Sequence, residues 1–348
     1  KYPNFKLVVT TNTPTSSDLV RQHLGEKVIH FFAPWDLLGS VRRFLAKINP
    51  KVLVLIEKEL WPNMISLTAA SNCEIFLVNA RLSPDSAERY RKFGTLVTDM
   101  LNSLRNVACQ SAEDGHRFKS LGLASERLFV TGNIKFDIEI SRSLEDEKQF
   151  LVESNCLASR FVIVAASTHP GEEEIILESF AVVKECSKDA LLVLAPRHVE
   201  RCAEIAQELR AQNWRFLLQS GKQCLDATQD VLLVDTTGEL FKLMGLASVA
   251  VIGGSFVPRG GHNMLEAAAW GVPILIGPHT QNFAEISELL ISGEAMLQIQ
   301  PRLLSNSLLR LLEDEKLRVQ MGASGKRILE KNRGAKDRTL ELLAPALN

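Results

Sequence analysis

An apolar run from Ser248 to Ile252 stops at Gly253-Gly254, a second glycine pair follows at Gly260-Gly261, and another apolar run begins after Gly271 and Pro273. This order predicts a strand, a glycine-rich turn, a short helix over residues 264–270 opened by Asn263, and a further strand. Glycines let backbone N–H groups approach a ligand closely, and a helix start offers unpaired donors and the positive end of a dipole. The stretch from Ala250 to Glu285 is therefore where a phosphate or nucleotide is expected.

The rest of the chain repeats the alternation. Strands are expected over 7–9, 28–32, 51–56, 75–78, 107–109 and 128–131, with helices over 16–24, 37–48, 64–70 and 113–121 and a basic loop and helix over 79–93. A polar, charged stretch over 138–160 follows, and then a second alternating set: strands over 161–165, 190–194, 215–219 and 231–234, and helices over 172–186, 200–211 and 238–246. Repeated β-α alternation predicts parallel sheets covered on both faces by helices, with ligands collecting at the carboxyl ends of strands. A chain of 348 residues is long for one core. The expected architecture is α/β: two Rossmann-like, doubly wound parallel-sheet domains facing a cleft, over 1–140 and 161–348, joined by a linker over 141–160 and closed by a helical tail.

Charge and cysteine content narrow the partners. Forty basic residues against 41 acidic ones leave a formal charge of −1, so nothing global recruits nucleic acid or an anionic surface. The six cysteines, Cys73, Cys109, Cys156, Cys186, Cys202 and Cys224, are scattered without a C-x-x-C pair, which fits a reducing compartment. Seven histidines show no paired metal spacing, and neither a metal nor a cofactor is expected. No uninterrupted apolar run approaches the ~20 residues of a membrane-spanning helix. The sequence opens at Lys1 without an initiating Met and runs directly into a strand, as though starting inside a domain.

Individual residues carry two readings each. Glu266 lies in the first turn of its helix, where it either complements the helix dipole or accepts hydrogen bonds from ribose hydroxyls. Asn263 is either an N-cap or a ligand contact. Arg197, after the strand at 190–194, serves a surface salt bridge or grips a phosphate with two parallel hydrogen bonds. Thr237-Gly238-Glu239 repeat the pattern of strand, small residues and helix start, and present amides to a base or merely open a helix. Ser167 to Glu174 carry capping residues and first-turn acids, as helix stability alone would ask, or form a loop that lines the cleft. Glu57 and Glu59, two apart at a strand end, are expected to be buried acids sharing one face. Lys135, at another strand end, is placed to neutralise charge on a departing phosphate.

In chain order the segments are T-x-T-P-T (Thr11 to Thr15), E-x-E-L-W-P-N (Glu57 to Asn63), N-A-R-L-S (Asn79 to Ser83), G-N-I-K-F-D (Gly132 to Asp137) and A-S-T-H-x-G-E-E (Ala166 to Glu173). They continue with A-P-R-H (Ala195 to His198), T-G-E-L (Thr237 to Leu240), G-G-H-N-x-L-E-x-A-A (Gly260 to Ala269) and G-P-H-T-x-N-F (Gly277 to Phe283). Over nearly the whole chain this series resembles the 3-deoxy-D-manno-octulosonic acid (Kdo) transferases, glycosyltransferases of lipopolysaccharide synthesis. The resemblance implies a GT-B fold, CMP-Kdo as donor, the lipid A precursor (lipid IVA) as acceptor, and inverting, metal-independent transfer at the cytoplasmic face of the inner membrane. It places donor contacts on Pro196, Arg197, Thr237, Gly238, Glu239, Asn263, Met264, Leu265 and Glu266, and transition-state stabilisation on Glu57 and Lys135.

The sequence departs from the family pattern in three places. Thr237 stands where the family usually has Met, and Lys58 where it has Thr. The family's general base, a Glu in a glycine-rich loop, and its membrane anchor are expected upstream of the position of Lys1; Gly25-Glu26 does not match the base motif. That last departure keeps two alternatives open, a CMP-binding protein without catalysis and another GT-B enzyme such as a sugar-nucleotide epimerase.

Overall fold

The computed structural model describes residues 5–154, 157, 159–221, 225, 226 and 228–347. The chain start at Lys1 and the cysteines Cys156 and Cys224 lie outside the described residues. Two compact units form, one running to Asp137 and including the residues from Asn332 onward, the other spanning Ile138–Lys331.

In the first unit β1 (Val8–Thr11) pairs in parallel with β2 (Ile29–Phe32). A second sheet holds β3 (Val52–Ile56), β4 (Glu74–Ala80), β5 (Asn106–Cys109) and β6 (Leu128–Val130), parallel and in sequence order. Val-, Ile- and Leu-rich runs make these strands because branched side chains fit a pleated, buried surface. Ile65, Leu77, Leu101, Leu104, Val107 and Phe118 are at most 1% exposed and form the core on one face. On the other face Leu343 packs against Phe76 and Val78 of β4.

That last contact revises the expected domain division. The tail was assigned to the second domain, yet its final helix, Ala335–Leu347, belongs to the first unit. Asp137 secures the return: its carboxylate accepts the amide hydrogens of Gly334 and Lys336, each at 2.6 Å. Arg338 adds a guanidinium bond to the carbonyl of Thr131 at 2.8 Å. A helical pattern states which face is apolar, and says nothing of which sheet will cover it.

The expected linker is also largely ordered, since Arg142–Ser154 is a helix of the second unit. Two of its charges are engaged. Glu147 meets Lys242 at 3.6 Å, and the Lys148 ammonium lies 5.3 Å from the Trp270 ring.

The second unit is one seven-stranded, wholly parallel sheet. Its strands are β7 (Val162–Thr168), β8 (Leu191–Pro196), β9 (Phe216–Leu218), β10 (Val231–Leu233), β11 (Val249–Ile252), β12 (Ile274–Ile276) and β13 (Met296–Gln298). Across the sheet the order is β13-β12-β11-β7-β8-β10-β9. Ile163, Phe180, Leu192, Leu233 and Val251 are fully buried beneath the helices, as a sheet covered on both faces requires. Among the described residues no helix is long and apolar enough to cross a membrane.

Candidate functional site

The topology of the second unit marks one place on the sheet. The chain leaves β7 toward β8 and later returns to the other side of β7 as β11, so connections after these neighbours depart in opposite directions. Such a switch point opens a crevice outside the carboxyl ends of the two strands. Val251 and Ile252 pair with Ala165 and Ala166, which brings the turn at Gly253-Gly254 against the turn at Ser167-Thr168.

Two glycines are dictated by that approach. A Cβ on Gly253 would lie 2.4 Å from the carbonyl oxygen of Ser167. Gly254 has φ +68°, and its Cβ would lie 2.9 Å from the His262 ring. Neither position accepts a side chain without displacing backbone or ring.

Glu172 holds the turn in place. It is fully buried at the start of the helix Glu172–Cys186, and its carboxylate accepts amide hydrogens from Gly254 (2.7 Å), Ser255 (3.0 Å), Phe256 (2.9 Å) and His169 (2.9 Å). This goes beyond the first-turn capping expected of an acid at that position. Three of its partners are more than eighty residues away, so no local spacing signals them. Glu173 beside it is bound by Arg201 at 2.7 Å and by the Thr168 hydroxyl at 2.8 Å.

The glycine-rich loop leads to Asn263 and Glu266, which are in direct contact. Asn263 Nδ2 donates to Glu266 Oε1 at 3.2 Å, while Asn263 Oδ1 accepts the Leu265 amide hydrogen at 3.2 Å. The helix itself spans Leu265–Trp270. Burial raises the Glu266 carboxyl above its ordinary range, and the Asn263 hydrogen bond works against that rise. Met264 and Leu265 are 0% exposed and belong to the core.

The remaining expected donor residues follow β8 and β10. Pro196 is the buried last residue of β8, and Arg197 is exposed, its amide donating to the Thr168 carbonyl at 2.9 Å. Thr237, Gly238 and Glu239 precede the helix Leu240–Met244; Gly238 has φ +86°, and Glu239 pairs with Lys242 at 2.7 Å. Next to them the Thr236 hydroxyl is buried with no hydrogen-bond partner among the described residues.

Three histidines from three of the sequence motifs converge here as well. His169 Nε2 and His262 Nε2 are 2.7 Å apart with the ring planes 9° from parallel, and His198 meets the His169 ring edge-on, centroids 5.9 Å apart. No spacing in the sequence signals that the three meet.

In the first unit Glu57 follows β3 in a left-handed conformation, φ +59°, and its carboxylate lies 3.0 Å from Lys135 Nζ. Lys135 sits in a short 3₁₀ turn, Ile134–Phe136, whose first amide donates to Asn79 Oδ1 at 3.1 Å. Asn79, near the end of β4 and itself at φ +49°, thus joins its own motif to that of Lys135, and the Glu57–Lys135 pair adds a third. Glu59 does not share the face of Glu57. The chain turns after Ile56, Glu59 accepts the Trp61 indole N–H, and neither acid is buried.

Two parallel α/β units, the second with glycine-rich strand-end loops at a switch point, define the GT-B fold class. A UDP-GlcNAc 2-epimerase from Neisseria meningitidis, solved with UDP-GlcNAc, shares that fold at TM-score 0.64 and 14% identity, over 97% of this chain and 91% of the other. The family model for 3-deoxy-D-manno-octulosonic-acid transferase (kdotransferase) matches residues 1–138. A 3-deoxy-D-manno-octulosonic acid transferase from Haemophilus influenzae is 36% identical across 99% of this chain and 81% of its own length. The C-terminal CMP-Kdo binding domain of WaaA from Acinetobacter baumannii matches 54% of this chain and 99% of that domain, with 30% identity and TM-score 0.52. The chain belongs to the Kdo transferase family.

Proposed function

We propose that this protein moves Kdo from CMP-Kdo to a hydroxyl of the lipid A precursor at the cytoplasmic face of the inner membrane. Family membership carries the glycosyl transfer. The observation that carries the donor assignment is the Asn263–Glu266 pair on the loop after β11, beside the β7–β11 switch point. A carboxylate there accepts hydrogen bonds from both ribose hydroxyls, and Asn263 sets its orientation.

The remaining donor residues then divide the work. Arg197 grips the phosphate, Pro196 and Thr237-Gly238-Glu239 border the nucleotide, and the buried Met264 and Leu265 anchor the segment that presents Asn263 and Glu266. Loss of CMP leaves negative charge on the phosphate, and a fixed cation lowers the barrier most where that charge grows. Lys135, oriented by Glu57, is the cation assigned to that step. Transfer proceeds by one displacement with inversion, needing a base on the acceptor hydroxyl and charge stabilisation on the leaving side, without a metal.

The test is calorimetric titration of CMP and UDP, followed by transfer of labelled Kdo to lipid IVA with and without EDTA. Selective CMP binding and EDTA-resistant transfer are expected. UDP binding in preference to CMP would remove the donor assignment, and EDTA-sensitive transfer would remove the metal-free mechanism.

A further inference from the structure

The strand-end loops of the second unit hold a pair of imidazoles that the reaction outlined above does not use. His169 follows β7, His262 sits on the loop after β11, and their Nε2 atoms are 2.7 Å apart. One hydrogen fits between two nitrogens at that distance, so one ring donates and the other accepts. In the neutral pair the accepting ring carries its proton on Nδ1. The single remaining basic nitrogen is then Nδ1 of the donating ring, and the pair can take one further proton without breaking its internal bond.

The surroundings set when that proton enters. His262 experiences Arg197, His198 and His169; burial and these cationic or cation-capable neighbours depress it to about 4. His169 is likewise lowered, by burial first, with Arg259 and His198 acting in the same direction and Glu172 and Glu173 opposing them. His198 has its own acidic neighbour, Glu200, at 3.3 Å. Glu172 is committed to four amide hydrogens and Glu173 to Arg201 and Thr168, so neither acid bonds to the imidazoles. An anion arriving beside Arg197 and His198 reverses the local field, and its charge stabilises a proton on the neighbouring pair.

We propose that His169 and His262 form a one-proton sensor of the donor's phosphate: neutral in the free protein, the pair takes a proton from solvent onto Nδ1 of its donating ring when the nucleotide oxyanion binds. The proposal rests on the donor assignment made above. Both are positioning residues that match the charge of the pocket to the charge of its occupant. Since CMP leaves with one more negative charge than the diester carried, the same proton holds the product after transfer and must depart with it.

The experiment is calorimetric binding to the whole chain in two buffers of different ionisation enthalpy, between about pH 5 and pH 8. The probe is the methyl phosphodiester of CMP, whose charge does not titrate in that range, and cytidine is the uncharged control. Uptake approaching about one proton is expected for the diester and none for cytidine, with affinity rising up to about tenfold for each pH unit lowered. His169→Gln and His262→Gln should each abolish the uptake while retaining measurable binding. Diester binding with no proton uptake, or uptake that persists in both variants, overturns the sensor and leaves the donor assignment standing. Failure of the wild-type chain to bind either CMP or the diester overturns both. Should the variants not fold, 15N imidazole spectra of the wild-type pair with and without the diester decide the matter: an unchanged charge state on binding sinks the proposal.

Discussion

Glu57 Oε1 lies 3.0 Å from Lys135 Nζ, joining the end of β3 to a turn seventy-eight residues later in the chain. The two side chains are 38% and 42% exposed, and such a pair contributes about 0–1 kcal/mol to stability. Lys135→Ala should therefore melt close to wild type. Its role under the proposed mechanism is in the transition state, so kcat should fall by about 100-fold or more with little change in KM. A raised KM at unchanged kcat would assign Lys135 to ground-state binding instead.

Glu266 gives two separable readouts. Glu266→Ala should weaken CMP binding by about 10- to 100-fold, the loss of a charge-assisted hydrogen bond. Its stability effect has the opposite character. Because burial raises this carboxyl above 4.5, the folded chain retains a proton that the unfolded chain has released. Stability from this group therefore falls as pH rises from 4.5 through the raised value. Glu266→Gln should remove that part of the slope, which urea unfolding across pH will detect; an unchanged slope would contradict the burial effect.

Removing Glu172 should be costly. Glu172→Ala leaves four amide hydrogens without their acceptor, three of them in the turn after β11, and should destabilise by about 3 kcal/mol or more. The exposed Glu174, two residues on in the same helix, is the matched control and should stay within about 0.5 kcal/mol when changed to Ala. Urea unfolding compares the two. Similar midpoints would show that Glu172 is not what secures the turn.

Asp230 governs part of the acid limb. Burial disfavours its charge, but hydrogen bonds from Arg215 and Lys184 overcome this and bring it down to about 2 from 3.8. A lowered carboxylate contributes stability that is present above 3.8 and lost as pH falls toward 2. Asp230→Asn should thus cost about 2 kcal/mol at neutral pH and progressively less on acidification, measured as the pH dependence of the unfolding free energy. A constant difference down to the acid transition would place the loss in packing.

Much of this molecule can be read from residue order because its signals are local. Alternating branched runs and amphipathic helices announce parallel sheets, and the helix Glu172–Cys186 begins and ends where its pattern does. Gly253 and Gly254 announce a tight strand end, and Asn263 and Glu266 a helix start beside it, since such signals are confined to a few neighbouring positions. Glu57 follows β3 as expected, whereas Lys135 lies in a 3₁₀ turn five residues beyond β6.

What tertiary structure alone decided lies in pairings across distance. Amphipathic period could not send the helix Ala335–Leu347 to the sheet containing Phe76, and extended-strand geometry could not foresee that Glu57 turns to φ +59° and parts from Glu59. Nor could a motif show that Met264 and Leu265 point into the core, that Glu172 serves amides more than eighty residues away, or that His169 and His262 share a hydrogen. Each of those outcomes depends on which buried groups must satisfy one another once the strands are adjacent, and one-dimensional order carries the residue types for that without carrying the partners.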